Sequence, residues 1–346
     1  MLDCLLIADD LTGACDAAVH FAARGRRTIA SVGLAGEIPD APVVAVSTDS
    51  RELPSEQLRL LMAEAARRLP AGRAGLLFKK IDSTMRGNIG AEIAAAVEAF
   101  GCDAAIVTPA FPAMRRVVEA GYLMIRGTQT FAPIEVARRL RWQGAEPCPH
   151  VQPCAVADTI RSGARFVSVD ATSNEDLDRI VAEGMASGRR LLWAGSGGLA
   201  SALARTLPPG GYAPPGRAPR AGPVLFCLGS DHPVTLTQQE ALAAARPGQP
   251  VWRIARGAPA DEAVRERIAL ASPGALAMSG GDTATMVCRA ISDSRIELHH
   301  EIVPGIPLGV LAGGIYDGWP VATKAGGFGE PEALIQVADF FTCRTQ

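Results

Sequence analysis

The sequence predicts an α/β protein of two domains, each a mostly parallel sheet flanked by helices, with a cleft between them. Three observations predict it. Short, wholly apolar runs alternate with helical patterns almost from end to end. A single Pro- and Gly-rich stretch, residues 208–223 ("PPGGYAPPGRAPRAGP"), lacks apolar periodicity and reads as a linker. After it the alternation restarts, so the chain divides into residues 1–207 and 224–346. With 346 residues, 48% of them hydrophobic, the chain is long enough to bury two cores.

The candidate strands of the first segment are residues 4–8, 43–47, 76–81, 104–108, 166–169 and 191–194. Being apolar throughout, they suit a parallel sheet covered on both faces. Helical spacing appears between them, as in "NEDLDRIVAEGMAS", where Leu177, Ile180, Val181 and Met185 form one stripe. Beyond the linker follow a strand "VLFCLGS", a helix from Pro233, a strand "VWRIARG", a helix near Asp261 and the strand-turn-helix "ALAMSGGDTATMVCRAI".

Charge narrows the function. Lys and Arg total 34 against 36 Asp and Glu, a formal net charge of −2, so no global basic field exists to hold nucleic acid. No apolar run reaches about 18 residues, so neither a membrane span nor membrane binding is expected. The N-terminus lacks a signal-peptide pattern and the eight cysteines are scattered singly, which predicts reduced thiols and a cytoplasmic protein.

Several stretches carry chemistry. In "LLIADDLTGACDAA" the adjacent Asp9 and Asp10 sit at a strand's carboxyl end, where open α/β sheets bind ligands. Capping of the following helix accounts for one acid but hardly for both. In "FKKIDSTMRGNIGAEIAAAVEAF" the stripe Ile89, Ile93, Val97 predicts a helix starting near Ser83 or Thr84. Arg86 then falls in its first turn, where a cation opposes the macrodipole unless it grips an anion there. Asp82, just before, would orient a hydroxyl of the same ligand; the alternative is a surface pair of Arg86 with Asp82 or Glu92. In "VTPAFPAMRRVV" a rigid loop presents Arg115 and Arg116.

Three glycine-bearing turns follow the linker: "LGSDHP", "SGGDTAT" and "KAGGFG". Their backbone N–H groups can form nests for phosphate oxygens, and three in so short a segment point to a nucleotide site. No P-loop pattern occurs. "WAGSGGLASALA" resembles a dinucleotide fingerprint but lacks the acid on a second strand, so an NAD site is rejected. Cys148, His150 and Cys154 lack a fourth metal ligand at regular spacing, and no G-x-S-x-G elbow is present.

In order, "ADDLTGACDAA", "KKIDSTMRGNIGAEI", "PAFP", "GSGGLA", "SGGDTA", "PGIPLG" and "KAGGFG" resemble the motifs of the four-carbon acid sugar kinase family, from residue 7 to about 330. The resemblance implies an N-terminal domain that binds a tetronate-like acid sugar and a C-terminal domain that binds ATP with Mg²⁺. It implies phosphorylation of the terminal hydroxyl of threonate, erythronate or 3-oxo-tetronate. Asp10, Asp82 and Arg86 fall at the family's substrate positions. Ser230, Ser279, Gly280, Gly281, Asp282, Thr283, Gly326 and Gly327 fall at its nucleotide positions. After "PAFP" the family's Asn-Gly-Arg-Thr-like turn is replaced by Ala113-Met114-Arg115-Arg116-Val117, with Arg116 standing for the family arginine.

The expected mechanism follows. Arg86, with Arg116, binds the substrate carboxylate; Asp9, Asp10 and Asp82 line the acid-sugar site. Asp10, in preference to Asp82, accepts the proton of the attacking hydroxyl. Two alternatives stay open, a kinase for another small hydroxy acid and a non-catalytic protein that binds nucleotide and acid sugar. Neither a metal ligand nor an oligomeric state is read from the sequence, and a homo-oligomer is compatible with it.

Overall fold

The computed structural model describes residues 2–128, 130–215, 220–255, 260–291 and 295–343. The chain runs β1 (Leu2–Ala8), α1 (Leu11–Ala22), β2 (Thr28–Val32), β3 (Val43–Ser47), α2 (Ser55–Arg68), β4 (Ala74–Lys80), α3 (Ile89–Ala99), β5 (Ala104–Thr108), β6 (Arg116–Glu119), β7 (Tyr122–Ile125), β8 (Ile134–Glu135) and α4 (Val136–Trp142). It continues through β9 (His150–Val151), α5 (Val156–Arg161), β10 (Phe166–Val169), α6 (Asn174–Ala186), β11 (Leu191–Gly195) and α7 (Gly197–Thr206). Then come β12 (Val224–Leu228), α8 (Pro233–Ala245), β13 (Val251–Arg253), α9 (Asp261–Ala271), β14 (Ala275–Ser279), α10 (Gly281–Ala290), β15 (Arg295–Val303), β16 (Ile306–Leu311), β17 (Pro320–Lys324) and α11 (Ala333–Cys343). All six strands predicted for the first segment are present.

The chain forms two compact units. One holds Met1–Asp9, Gly36–Val44 and Thr48–Pro209; the other holds Asp10–Ala35, Ala45–Ser47 and Gly210–Gln346. The sequence boundary near 207 differs from this division chiefly in residues 10–35, which pack with the C-terminal unit. The reason is α1. It is mostly apolar or small, and Leu11, Ala14, Ala17, Ala18, Val19 and Phe21 are buried together with Thr12 and Asp16, so it is covered on nearly every side. It finds that cover against β2, β15 and α10.

In the first unit the strand order β1-β4-β11-β5-β10-β9 is parallel throughout. A separate antiparallel sheet, β6-β7-β8, follows the "PAFP" loop. Asp170, just beyond β10, holds its β6–β7 turn by accepting from the N–H groups of Ala120 (3.0 Å) and Gly121 (2.9 Å). His150 shares hydrogen bonds with Ser168 Oγ (2.8 Å) and Asp170 Oδ1 (2.9 Å), so both ring nitrogens are engaged at this junction.

The glycines of "GSGG" have a packing reason. A Cβ at Gly195 would sit 2.6 Å from Thr108 O, and one at Gly198 2.5 Å from Ala110 O, so α7 starts hard against the loop after β5.

The second unit has the order β13-β12-β14-β17-β16-β15-β2. Its first four strands are parallel, and the β15–β16 hairpin makes the remainder antiparallel. Phe226, Leu242, Leu308, Leu334, Val337 and Phe341 are central to its core. The first part of the predicted linker is tied down here. Gly210 N–H donates to Arg24 O (2.8 Å), Tyr212 N–H to Gly25 O (3.0 Å), and the Tyr212 hydroxyl donates to Glu297. Residues 216–219 of the linker lie outside the described residues.

Candidate active site

Each unit gathers a group of functional side chains at the carboxyl ends of parallel strands. In the first unit β1 and β4 are in register with Ala8 opposite Lys80, so the chain segments that leave them carry Asp9 and Asp82 off the same edge. Arg51, in the turn after β3, donates from Nε to Asp9 Oδ2 (2.8 Å), and its Nη2 stands 3.7 Å from Asp82 Oδ2. Arg86 donates to that same oxygen through Nε (3.1 Å) and Nη2 (2.6 Å). Asp82 Oδ1 accepts from Thr84 N–H (2.9 Å), Thr84 Oγ1 (2.5 Å) and Arg86 N–H (3.2 Å).

This arrangement corrects the predicted helix start. The helix α3 begins at Ile89, not near Ser83, and Arg86 lies in the preceding turn. The Asp82 carboxylate draws the Thr84 and Arg86 N–H groups to itself, and Met85 (φ 58°) and Gly87 (φ 86°) turn left-handed, which no helix accommodates. The dipole argument for Arg86 therefore lapses, and its partner is Asp82.

Burial pushes the Asp82 carboxyl upward, but Arg86, Arg51 and Thr84 outweigh it and hold the pKa far below the usual carboxylate range. Asp9 is shifted the same way: burial opposes, and Arg51, Lys79 and Lys80 prevail. Beneath them a fully buried pair joins Lys79 Nζ to Glu92 Oε1 (3.0 Å), with Ser50 Oγ donating to the same oxygen (2.5 Å). Lys80, also buried, donates to Ile81 O (2.9 Å). Four cations thus surround three carboxylates, and Arg86 remains 63% exposed at the outer end of the chain of charges.

Arg116 sits on β6, buried, with Nη1 donating to Met114 O (2.5 Å); Arg115 before it is left-handed (φ 62°). The loop predicted to present both arginines is folded back, and Arg116 is built into the small sheet.

Asp10 belongs to the second unit. It caps α1, accepting from Gly13 N–H through Oδ1 (2.6 Å) and from Thr12 Oγ1 (3.4 Å). A Cβ built on Gly281 would fall 2.5 Å from Asp10 Oδ2 and 2.7 Å from its Cγ, so the carboxylate lies directly against the first residue of α10. One side chain thus both caps α1 and packs against the start of α10.

The three glycine turns converge in this unit. Leu228, Ser279 and Lys324 end neighbouring parallel strands β12, β14 and β17 in register. Gly280 (φ 107°) starts α10 in a conformation that favours glycine, and its N–H donates to Lys324 O (3.0 Å). A Cβ on Gly326 would overlap Ser230 Oγ, and one on Gly229 would overlap Thr283 Oγ1. Arg253 donates to Leu228 O and Ser230 O (2.9 Å each), bracing the first turn, and also to Asp231. Asp282 is exposed in the first turn of α10.

The structure thus brings Asp9, Asp82 and Arg86 together in one unit. Asp10, Ser230, the Ser279 to Thr283 turn and the Gly326–Gly327 turn come together in the other. Sequence reasoning missed Arg51, Lys79, Lys80, Arg253 and Lys324, and it considered Glu92 only as a surface partner of Arg86, whereas Glu92 is buried and pairs with Lys79. The available signals were charged residues closing apolar strand runs, as in "FKK" and "VATK", and the "TDSR" that follows β3.

Among the described residues no group of three His, Cys, Asp or Glu side chains could hold a metal ion. No helix among them is long and apolar enough to cross a membrane.

A family model described as a sugar-binding N-terminal domain matches residues 4–139 and 143–203, and one described as a nucleotide-binding C-terminal domain matches residues 230–334. The chain is 34% identical to a D-threonate kinase of Bordetella bronchiseptica over 398 aligned positions, covering 96% of each protein. It is 27% identical to a D-erythronate kinase of Heliobacterium modesticaldum, covering 98% of this chain and 97% of that one. A crystal structure of a Haemophilus influenzae protein shares the fold, with a TM-score of 0.68 at 20% identity, covering 99% of this chain and all of the other.

Proposed function

The chain belongs to the four-carbon acid sugar kinase family and is a kinase acting on a tetronate-like acid sugar; we propose that the Asp9–Arg51–Asp82–Arg86 group holds the acid sugar and the three glycine turns hold the phosphates of ATP. The observation that carries the second half is the meeting of "LGSDHP", "SGGDTAT" and "KAGGFG" at the ends of three adjacent parallel strands, with Asp10 against the start of α10. Backbone N–H groups of Gly281 and Thr283 at a helix N-terminus, with those of Ser230, Gly326 and Gly327, would hold phosphate oxygens without a P-loop. Mg²⁺ would arrive with the ATP substrate and supply charge neutralisation at the phosphates, and Asp282, exposed in the first turn of α10, is the carboxylate that would meet it.

With buried Lys79, Lys80 and Glu92 included, four cations face three carboxylates, which suits an anionic ligand, and Arg86, exposed and already oriented by Asp82, is the residue for the substrate carboxylate. Arg116 shapes the loop beside the strand edge through Met114. Asp82 accepts too many hydrogen bonds, and is too acidic, to serve as a base; its part is to aim Arg86. Asp9 is engaged by Arg51 and aims that guanidinium in the same manner.

Asp10 is the proton acceptor. As the terminal hydroxyl of the acid sugar attacks the γ-phosphorus, its proton passes to Asp10 Oδ2, the new O–P bond forms, and the bridging oxygen leaves on ADP. Phosphoryl transfer needs alignment and charge neutralisation above all, and the cap bond from Gly13 N–H fixes Asp10 for that purpose. The test is ATP-dependent phosphorylation over a panel of tetronates with Asp10→Asn alongside wild type. Turnover on a tetronate, lost in Asp10→Asn with ADP binding retained, is the expected result. ADP release at the wild-type rate in Asp10→Asn would remove Asp10 from the chemistry.

A further inference from the structure

Lys324 ends β17 with its side chain almost wholly buried. Among the described residues no carboxylate pairs with it. Its Nζ donates to the carbonyls of Ala325 (3.0 Å), Gly326 (3.1 Å) and Phe328 (3.2 Å) and to Thr235 Oγ1 (3.2 Å). The Thr235 hydroxyl donates in turn to Gly326 O (2.8 Å). Burial pulls the amine's pKa down to about 7. A lysine so placed is costly to the fold, since burying a cation without a counter-charge is unfavourable even when it is hydrogen-bonded.

The geometry of the peptide group shows what that cost supports. In a trans peptide the C=O and the next N–H point in opposite directions. Turning Ala325 O and Gly326 O inward to Nζ therefore turns the N–H groups of Gly326 and Gly327 outward, away from the lysine. The far side of those glycines is the Ser230–His232 turn: a Cβ on Gly326 would overlap Ser230 Oγ, and one on Gly327 would lie 3.0 Å from His232 Nε2. Two successive amides aimed the same way are the elements of a nest for an anion. Each of these carbonyls has a second donor, Phe328 N–H for Ala325 O (3.1 Å), Thr235 Oγ1 for Gly326 O (2.8 Å) and Gln238 Nε2 for Phe328 O (3.0 Å), and the ammonium is what ties all three to one point.

We propose that Lys324 is a positioning residue for the nucleotide: its buried ammonium draws in the carbonyls of the 325–328 turn, so that the Gly326 and Gly327 amides face the ATP phosphates. It touches no reacting atom and acts through the backbone. The proposal rests on the assignment of this turn to ATP made above.

The experiment compares Lys324→Met, Thr235→Val and Gly326→Ala with wild type, reading the KM for ATP, the KM for the acid sugar, and the Kd for ADP by calorimetry. Lys324→Met is expected to raise the ATP KM and the ADP Kd at least about tenfold, about 1.4 kcal/mol, and to leave the acid-sugar KM within about twofold. Thr235→Val, a gentler change that keeps the lysine, shifts the same two constants the same way by a smaller factor. It carries the test if Lys324→Met does not fold. A folded Lys324→Met with ATP KM and ADP Kd within about twofold of wild type overturns the proposal, as does an equal rise in both substrates' KM. If Gly326→Ala weakens ADP while the lysine and threonine variants do not, the turn assignment stands and the role of Lys324 falls. If none of the three alters ADP binding, the turn assignment itself falls.

Discussion

Gly281→Ala puts the placement of Asp10 to a quantitative test. By helix propensity alone the change should help, since alanine is favoured over glycine inside a helix by up to about 1 kcal/mol. The structure predicts the opposite sign. The new Cβ would stand 2.5 Å from Asp10 Oδ2 and 2.7 Å from both Cβ and Cγ of Asp10, where ordinary contact between carbon atoms needs about 3.5 Å. The carboxyl must retreat by about 1 Å, which strains or breaks its 2.6 Å cap bond from Gly13 N–H. Loss of an N-cap costs about 0.5–2 kcal/mol and overpacking about 1–3 kcal/mol. After the propensity gain, a net destabilisation of about 1–3 kcal/mol remains. A proton acceptor displaced by that distance lowers kcat on the order of 10²-fold. Urea unfolding and steady-state kinetics measure the two effects. A Gly281→Ala protein as stable as wild type, with kcat within about twofold, would refute both the contact and the role given to Asp10.

Three further outcomes are expected. Arg86→Ala raises the KM for the acid sugar about 10- to 100-fold, the worth of a charge-assisted hydrogen bond, and leaves the ATP KM unchanged, as initial-rate kinetics would show. Breaking the buried pair through Lys79→Met or Glu92→Gln destabilises the fold by about 3–5 kcal/mol, whereas Lys79→Met combined with Glu92→Leu recovers most of it in urea unfolding. Because the Asp82 pKa in the folded protein lies below its unfolded value of about 4, the unfolded chain binds more protons in acid, and the stabilisation from Asp82 is present above about pH 5 and lost as pH falls below that. Asp82→Asn is therefore less stable than wild type near neutral pH, and the gap closes toward about pH 2 in unfolding curves taken across that range.

The strands were legible because parallel strands buried on both faces read as unbroken apolar runs, and those runs coincide with β1, β3, β4, β5, β10 and β11. The glycine turns were legible because glycine marks backbone conformations other residues avoid, as at Gly280. Three features were not. The alliance of α1 with β15 and α10 joins residues over 250 positions apart, and no local pattern encodes it. The start of α3 was misread because the apolar stripe begins correctly at Ile89, while the turn before it is set by what Asp82 accepts, a side-chain choice invisible to periodicity. Lys79, Lys80 and Lys324 look like the polar ends of strands, and only the fold reveals that each is buried.

The most direct measurement is a crystal structure of the protein with a non-hydrolysable ATP analogue and a tetronate. The account predicts phosphate oxygens hydrogen-bonded to backbone N–H groups of the 281–283 and 326–327 turns, the tetronate carboxylate on Arg86, and its terminal hydroxyl turned to Asp10. A nucleotide whose phosphates lie away from those two turns, or a tetronate held without Arg86, would contradict it.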